Sequence, residues 1–180
     1  SERLLGSLGL PVKSVSQMGR ARLVFINTCA FIQPATEESV RTIAQAVADI
    51  EDLPKRPLLA VAGCLVGRYH AEDLAPELPE VDLWLDNSDL EAWPAMLARK
   101  LGLPEPTVPG RILSTGPSYA WLKISDGCRH ACSFCAIPNI RGGHRSHTKD
   151  MIVREARTLI DQGVKELNLV AQDVTEWGCD

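Results

Sequence analysis

The 180-residue sequence has a formal net charge of −4 and is 45% hydrophobic by composition. An acidic balance of this size gives no general reason to expect a nucleic-acid-binding surface, and no run of about 18 apolar residues is present to span a bilayer. The first residues lack the basic and then apolar layout of a secretory signal, so we expect a cytoplasmic protein with no membrane partner. Six cysteines in such a chain favour metal or catalytic ligands over disulfides.

Strands and helices alternate along the first part of the chain. Three short apolar runs have the composition of strands buried on both faces of a parallel sheet, at residues 22–26, 58–62 and 81–85. Helical patterns occur around them, at residues 3–10, from Pro34 to residue 50 and from a capping box that begins at Ser88. Pro94 is expected to kink the last helix or delay its start. This alternation predicts an α/β fold with a doubly wound parallel sheet in residues 1–103.

A second block follows a segment of linker composition. Residues 104–118 are rich in proline and glycine and are assigned as an interdomain linker. Beyond them, residues 119–124 predict a strand, Thr148 caps a helix and residues 167–171 predict the next strand. This order begins a β/α barrel, whose active-site loops leave the carboxyl ends of the strands. Residues 119–180 are therefore predicted to form the first, incomplete part of a TIM-like barrel.

Three cysteines follow the first strand of this block with the spacing C-x3-C-x2-C, at Cys128, Cys132 and Cys135. The spacing lets one short loop aim three thiolates at three corners of a 4Fe–4S cluster and leaves the fourth iron open. Zinc sites usually draw on two separated pairs of Cys or His, and no second pair of cysteines with that spacing follows. A zinc site completed by His144 or His147 is the alternative.

Charged residues surround this loop. Between residues 123 and 149, basic residues and histidines accompany Asp126 as the one acidic residue. Such clustering is typical of a solvated rim, and binding of an anion or a partner is the alternative.

Two further cysteines, Cys29 and Cys64, directly follow the first two predicted strands. In a parallel sheet the residues after each strand emerge at one edge, where ligands bind, so these cysteines are expected to lie near each other. Two thiolates are too few to hold a 4Fe–4S cluster, and two unrelated free thiols are the alternative. Cys179 has no partner by spacing and is interpreted as a bystander.

Four segments together resemble the methylthiotransferase branch of the radical S-adenosylmethionine (SAM) enzymes. They are N-T-C-A-F-I at 27–32, G-C-L-V-G-R-Y at 63–69, the cysteine loop at 125–142 and V-A-Q-D-V-T-E-W-G at 170–178. The resemblance implies that SAM occupies the open iron of a 4Fe–4S cluster on the loop. It also implies a second, auxiliary 4Fe–4S cluster in the first domain, with Cys29 and Cys64 as two of its three ligands and the third upstream of the sequence. The chain is thus expected to lack its first strand and the rest of its barrel.

The resemblance extends to individual site residues. Those expected to contact SAM or substrate are Phe134, Ala136, Ile137, Arg141, Ser146, Glu155, Gln172 and Asp173. Phe134 is expected near the adenine, whereas Glu155 has the alternative of a solvent-facing helix residue. No protein acid or base is expected, because the cofactor carries the chemistry at an unactivated carbon. Arg129 stands where the family usually has Asn, and His147 where it usually has Arg.

The segments A-I-P-N-I-R-G at 136–142 and A-Q-D-V-T at 171–175 resemble those of the branch that modifies a ribosomal protein. That branch implies addition of a methylthio group to the β-carbon of an aspartate in a small-subunit ribosomal protein. The implied steps are electron delivery by a donor such as flavodoxin or ferredoxin, a 5′-deoxyadenosyl radical from SAM, sulfur from the auxiliary cluster and a methyl group from a second SAM. RNA contact is expected through a C-terminal domain outside the sequence.

Two other functions stay open as alternatives. They are a tRNA adenosine methylthiotransferase and a non-catalytic zinc or iron–sulfur module. The 180 residues by themselves are expected to be inactive, since most of the barrel that should enclose SAM lies outside them.

Overall fold

The computed structural model of the chain describes residues 8, 19–87, 90–106, 111–113 and 116–180. The chain divides into two compact units, Ser1–Ile112 and Leu113–Asp180. The division falls inside the proline- and glycine-rich segment 104–118. Apart from Leu8, the predicted helix at 3–10 lies outside the described residues, as does Ser88 of the predicted capping box.

The first unit contains a parallel three-stranded sheet with helices between its strands. Its elements are β1 (Leu23–Thr28), α1 (Gln33–Glu51), β2 (Leu58–Gly63), α2 (Cys64–Tyr69), α3 (Ala71–Leu74), β3 (Leu83–Leu85) and α4 (Trp93–Leu101). The strand order is β1-β2-β3, and both pairs are parallel. The prediction of an α/β fold with a parallel sheet is therefore confirmed.

The central strand β2 is buried on both faces. Ala60 and Ala62 point to one face and pack in a hydrophobic cluster with residues of β3 and α4. Leu59 and Val61, which alternate with them, are also fully buried. Burial on both faces explains why the strand is a continuous apolar run rather than an alternating one.

Some element boundaries differ from the sequence prediction. Strand β1 extends to Thr28, two residues beyond the predicted end, and β3 begins at Leu83 rather than at residue 81. Helix α4 begins at Trp93, and residues 90–92 form turns, so the helix begins later than the capping-box pattern alone indicates. Pro94 lies in the first turn, where its missing N–H breaks no helical hydrogen bond, and the predicted delay of this helix is confirmed.

The second unit begins with a strand, loop, helix and strand. Its elements are β4 (Tyr119–Lys123), β5 (Ser125–Asp126), α5 (Ile137–Arg141), β6 (Arg145–Ser146), α6 (Lys149–Asp161), β7 (Glu166–Val170) and a 3-10 turn (Val174–Glu176). Strands β4 and β7 pair in parallel, whereas β5 and β6 form a short antiparallel pair. The predicted order of the first barrel unit is confirmed, with β7 one residue earlier than expected.

Helix α6 covers one face of the β4–β7 pair. Ala120 and Leu122 of β4 are buried with Leu159 of α6 in one hydrophobic cluster. The helix begins after Thr148, whose Oγ1 accepts a hydrogen bond from Met151 N at 3.3 Å, as the cap prediction requires. The β4–α6–β7 unit thereby fixes the strand ends from which the cysteine loop and the segment after β7 leave.

No helix within the described ranges is both long enough and apolar enough to cross a lipid bilayer.

Candidate metal centres

The register of β1 and β2 brings Cys29 and Cys64 to adjoining strand ends. Thr28 pairs with Gly63 as the last residues of the two strands. Cys29 and Cys64 are the next residues on parallel strands whose backbones lie about 4.8 Å apart. Cys29 is exposed, whereas Cys64 is 8% exposed and opens α2. The two cysteines therefore share the sheet edge at which the sequence placed them.

Gly63 permits the close approach of these strand ends. Its φ is +104°, a conformation that L side chains rarely adopt. A Cβ at this position would lie 2.4 Å from the carbonyl oxygen of Thr28 and 2.8 Å from its nitrogen. Glycine is thus required immediately before Cys64, so that β2 can turn into α2 against the end of β1.

Polar side chains hold the backbone around both cysteines. Thr28 Oγ1 donates a hydrogen bond to Ala62 O at 2.6 Å and accepts one from Leu65 N at 3.2 Å. Ser39 Oγ, on α1, donates to Cys29 O at 2.7 Å and accepts from Cys29 N at 3.1 Å.

One residue further along the chain, the Arg68 guanidinium donates to Ala30 O at 2.7 Å. Consecutive backbone groups that leave β1 therefore have partners on α1 and α2.

The second cysteine site is the loop between β5 and α5. Cys128 N donates to Gly142 O at 3.3 Å, and Cys135 N donates to Cys132 O at 3.0 Å. Cys128 and Cys135 are half-buried and Cys132 is exposed. The loop is thus closed at its base by the chain that returns after α5, while its middle thiol faces solvent.

Gly127 makes this closure possible. Its φ is +69°, and a Cβ here would lie 2.1 Å from Gly143 O and 2.6 Å from Gly142 O. Real Cβ atoms essentially never approach other atoms this closely. The glycine before Cys128 is required by the close approach of the 142–143 backbone.

The arrangement of ligand atoms bears on the zinc alternative. Among the described residues, three or more His, Cys, Asp or Glu ligand atoms lie within 4.8 Å of one another in one group, His130, Asp173 and Glu176. The loop cysteines do not gather with His144 or His147 at the spacing that a single tetrahedral ion requires. Thiolates on separate irons of a cluster need no such convergence, and the zinc site stays the alternative.

His147 and Arg141 instead surround a buried carboxylate at the base of the loop. Asp126 forms an ion pair with Lys123, lies 3.4 Å from Arg141 Nη1 and lies 3.8 Å from His147 Nε2. Burial alone would raise the pKa of Asp126, but the His147 imidazole and the positive charges of Lys123 and Arg141 lower this pKa from 3.8 to about 2. The histidine that departs from the family pattern at position 147 therefore contacts two groups at the base of the loop, because its Nδ1 also donates to Lys123 O at 3.1 Å.

The segment after β7 contacts the cysteine loop directly. The Arg129 guanidinium forms an ion pair with Glu176, and His130 Nε2 lies 3.0 Å from Asp173 Oδ2. Hydrogen bonds from the hydroxyl and the amide of Thr175, and then the His130 contact, lower the pKa of Asp173. The Arg129 guanidinium offsets one of the two carboxylate charges in the group formed by His130, Asp173 and Glu176, and we interpret this group as a polar network between loops.

The same segment also binds β6. Trp177 Nε1 donates to His147 O at 2.9 Å, and Gly178 N donates to Ser146 Oγ at 2.9 Å. Asp180 accepts hydrogen bonds from both the hydroxyl and the amide of Ser146, and these bonds lower the pKa of its carboxyl. Ser146, expected to contact SAM or substrate, has its hydroxyl engaged by this segment.

The remaining residues expected at the site lie at several places around the loop. Phe134 is 88% exposed next to Cys135, Ala136 directly precedes α5, and Ile137 is its first residue. Glu155 is half-buried on α6. Gln172 Oε1 is buried and has no hydrogen-bond partner among the described residues, which leaves an acceptor for a further donor at the end of β7.

Three acidic residues of this region were not identified as site residues from the sequence. They are Asp126, Glu176 and Asp180, which pair with Lys123, Arg129 and Ser146. The excess of basic residues between 123 and 149 was the available signal, since three of these cations have carboxylate partners. Lys123 and Arg141 both pair with Asp126, and Arg129 pairs with Glu176.

Two protein-family models match the chain. "Uncharacterized protein family UPF0004" matches residues 1–86, which include the paired strand ends with Cys29 and Cys64. "Radical SAM superfamily" matches residues 122–177, which include the cysteine loop and most of the segment after β7.

Similar proteins match the chain over its whole length. "Ribosomal protein uS12 methylthiotransferase RimO" of Nitratidesulfovibrio vulgaris is 67% identical over 180 residues, which are 100% of this chain and 42% of that protein. The proteins of the same name from Oleidesulfovibrio alaskensis and Lawsonia intracellularis are 62% and 55% identical over 100% of the chain and 42% and 41% of their own lengths. The chain thus spans about two fifths of these relatives. The chain is therefore similar over its whole length to proteins named as methylthiotransferases, and residues 122–177 match the radical SAM superfamily.

Proposed function

We propose that the complete protein is a radical SAM methylthiotransferase that adds a methylthio group to the β-carbon of an aspartate in ribosomal protein uS12. The observation that carries the proposal is the presence of two cysteine sites in one chain, each at the carboxyl ends of parallel strands. The relatives that match the whole chain are named for action on uS12, which supports this substrate.

The cysteine loop fits a 4Fe–4S cluster by its donor chemistry. Cys128, Cys132 and Cys135 provide three thiol ligands within the eight residues 128–135, and thiolates are the usual ligands of such clusters. When bound, the cluster with SAM supplies the one-electron cleavage of SAM to methionine and a 5′-deoxyadenosyl radical. The chain's own contribution is to fix the loop through Gly127 and Asp126, and to offer Phe134 and the start of α5 to the adenine.

The paired strand ends fit the auxiliary cluster in the same sense. Cys29 and Cys64 provide two thiol ligands at one edge of the sheet. In this proposal the site provides the sulfur atom. Its exposed member, Cys29, leaves the site open to an incoming substrate.

The overall change is the replacement of one aspartate C–H hydrogen by S–CH3. The hydrogen leaves with 5′-deoxyadenosine, the sulfur comes from the auxiliary site, and the methyl group comes from a second SAM. A reduced flavodoxin or ferredoxin is the proposed electron donor, and RNA contact is assigned to sequence outside the chain. Because the proposed substrate is a ribosomal protein, the proposed place of action is the cytoplasm.

Mass spectrometry of both candidate substrates tests the function. The complete protein, reconstituted with iron and sulfide under anaerobic conditions, is incubated with reductant, SAM and either uS12 or tRNA. We expect a methylthio mass gain on an aspartate-containing peptide of uS12, and none with Cys132→Ala or Cys29→Ala protein. Thiomethylation confined to tRNA would overturn the choice of substrate, and cleavage of SAM by none of the proteins would favour a non-catalytic module.

A further inference from the structure

We propose that the hydroxyl groups of Thr28 and Ser39 are positioning groups that hold Cys29 and Cys64 in the geometry needed for a shared metal cluster. The proposal rests on the proposed function, which makes these two cysteines ligands of the auxiliary cluster. Neither hydroxyl is a ligand itself. Each acts on the backbone next to a ligand.

Thr28 ties the two cysteine-bearing strand ends together. The residue that precedes α2 is Gly63, which has no side chain to accept from the free N–H groups of the first helical turn. Thr28 Oγ1, on the neighbouring strand, accepts from Leu65 N in place of a cap and donates to Ala62 O. These two groups flank Cys64 in sequence, so one hydroxyl next to Cys29 fixes the backbone on both sides of Cys64.

Ser39 acts on the other cysteine. Cys29 follows the last paired residue of β1, so its backbone N–H and C=O lie beyond the β1–β2 register. Ser39 Oγ satisfies both groups of Cys29, at 3.1 and 2.7 Å. The side chain of Ser39 on α1 thus holds the backbone of Cys29, an exposed residue just beyond the end of β1.

The hydroxyls of Thr28 and Ser39 differ from those in ordinary surface contacts because both residues are buried. Thr28 is 6% exposed and Ser39 is 7% exposed, and each hydroxyl both donates and accepts. Apolar residues of similar size would fill the same space but would leave the four backbone groups without these bonds. Partners that orient metal ligands typically contribute 10- to 100-fold to metal affinity, which sets the scale of the expected effect.

The test measures iron retention at the auxiliary site alone. In the complete protein, Cys128, Cys132 and Cys135 are replaced by Ala, so that bound iron reports the other cluster. Into this parent we introduce Thr28→Val, Ser39→Ala and the conservative Thr28→Ser. The matched control is Thr36→Val, because Thr36 is 8% exposed in the same unit and its hydroxyl donates to Ile32 O rather than to groups beside a cysteine.

We expect Thr28→Val and Ser39→Ala to lose iron to a chelator at least about 10-fold more readily than the parent. Thr28→Ser should restore retention, and Thr36→Val should match the parent. The low-temperature EPR spectrum of the reduced cluster should change in the first two variants, a readout that a loss of overall stability would not produce.

Equal iron retention and unchanged EPR spectra in Thr28→Val, Ser39→Ala and Thr36→Val would overturn the proposal while leaving the proposed function intact. A parent that binds no iron at all would instead overturn the auxiliary cluster and the proposed function. If Thr28→Val does not fold, Ser39→Ala and Thr28→Ser decide the outcome by the same two measurements.

Discussion

Replacement of Gly127 by Ala is expected to displace the entire base of the cysteine loop. The added Cβ would lie 2.1 Å from Gly143 O, about 1.3 Å short of ordinary van der Waals contact near 3.4 Å. The obstacle is backbone rather than a flexible side chain, so the 142–143 peptide must move. That movement breaks the hydrogen bond from Cys128 N to Gly142 O and strains the β5–β6 pair.

The expected loss of folding stability in Gly127→Ala has two parts. A non-glycine residue at φ of +69° costs about 1–2 kcal/mol, and forcing a group into filled space costs a further ~1–3 kcal/mol. Gly116→Ala is the matched control, because Gly116 has the same φ of +69° and lies in the same unit, but the described structure has no atom within 4 Å of the added Cβ. Gly116→Ala therefore has the cost of the backbone conformation without the cost of the steric clash.

The assay combines hydrogen exchange with iron counting. We expect Gly127→Ala to lower amide protection at residues 126–128 and 145–147 and to reduce iron bound at the loop. Gly116→Ala should leave both nearly unchanged and lower stability by about 1–2 kcal/mol. Equal loss of stability and equal iron content in the two variants would refute the steric role assigned to the glycine before Cys128.

Three further predictions concern the surroundings of the loop. Alanine at Arg129 and at Glu176, singly and together, should give a coupling energy of ~1 kcal/mol in a double-mutant cycle of unfolding, and strict additivity would contradict the ion pair. Thr148→Ala should destabilise the second unit by ~1 kcal/mol in urea unfolding through loss of the helix cap, with loop iron retained. Because the pKa of Asp180 is lowered, its bonds to Ser146 should hold above pH 3.8 and be lost as pH falls below that value. Hydrogen exchange of the Ser146 amide, measured relative to its intrinsic rate at each pH, checks this. A Ser146 amide without protection at neutral pH would contradict it.

The strand ends that carry cysteines were predictable because their signals are local. A buried parallel strand is a continuous apolar run, and the residue that follows it can be read directly, as with Gly63 and Cys64. The six-residue helix that begins at Cys64 was missed, since a helix this short offers little periodicity. The two-residue strands β5 and β6 were missed for the same reason.

Contacts between distant parts of the sequence were beyond this kind of reasoning. Arg129 was noted only as a departure from the family pattern and Glu176 only as part of the matching segment 170–178, yet they form one ion pair. The hydroxyl of Ser39 reaches a cysteine on a different element. Such pairs depend on how the helices, strands and loops pack together, and no local sequence pattern predicts them.

Iron and sulfide analysis of the complete protein tests the central claim that the chain holds two independent cysteine sites. Three proteins are reconstituted side by side: wild type, Cys29→Ala with Cys64→Ala, and Cys128→Ala with Cys132→Ala and Cys135→Ala. We predict that each variant binds about half of the wild-type iron, and that only proteins with an intact loop change their EPR spectrum on addition of SAM. Loss of all iron in either variant, or a SAM-dependent spectrum in the loop variant, would contradict the account.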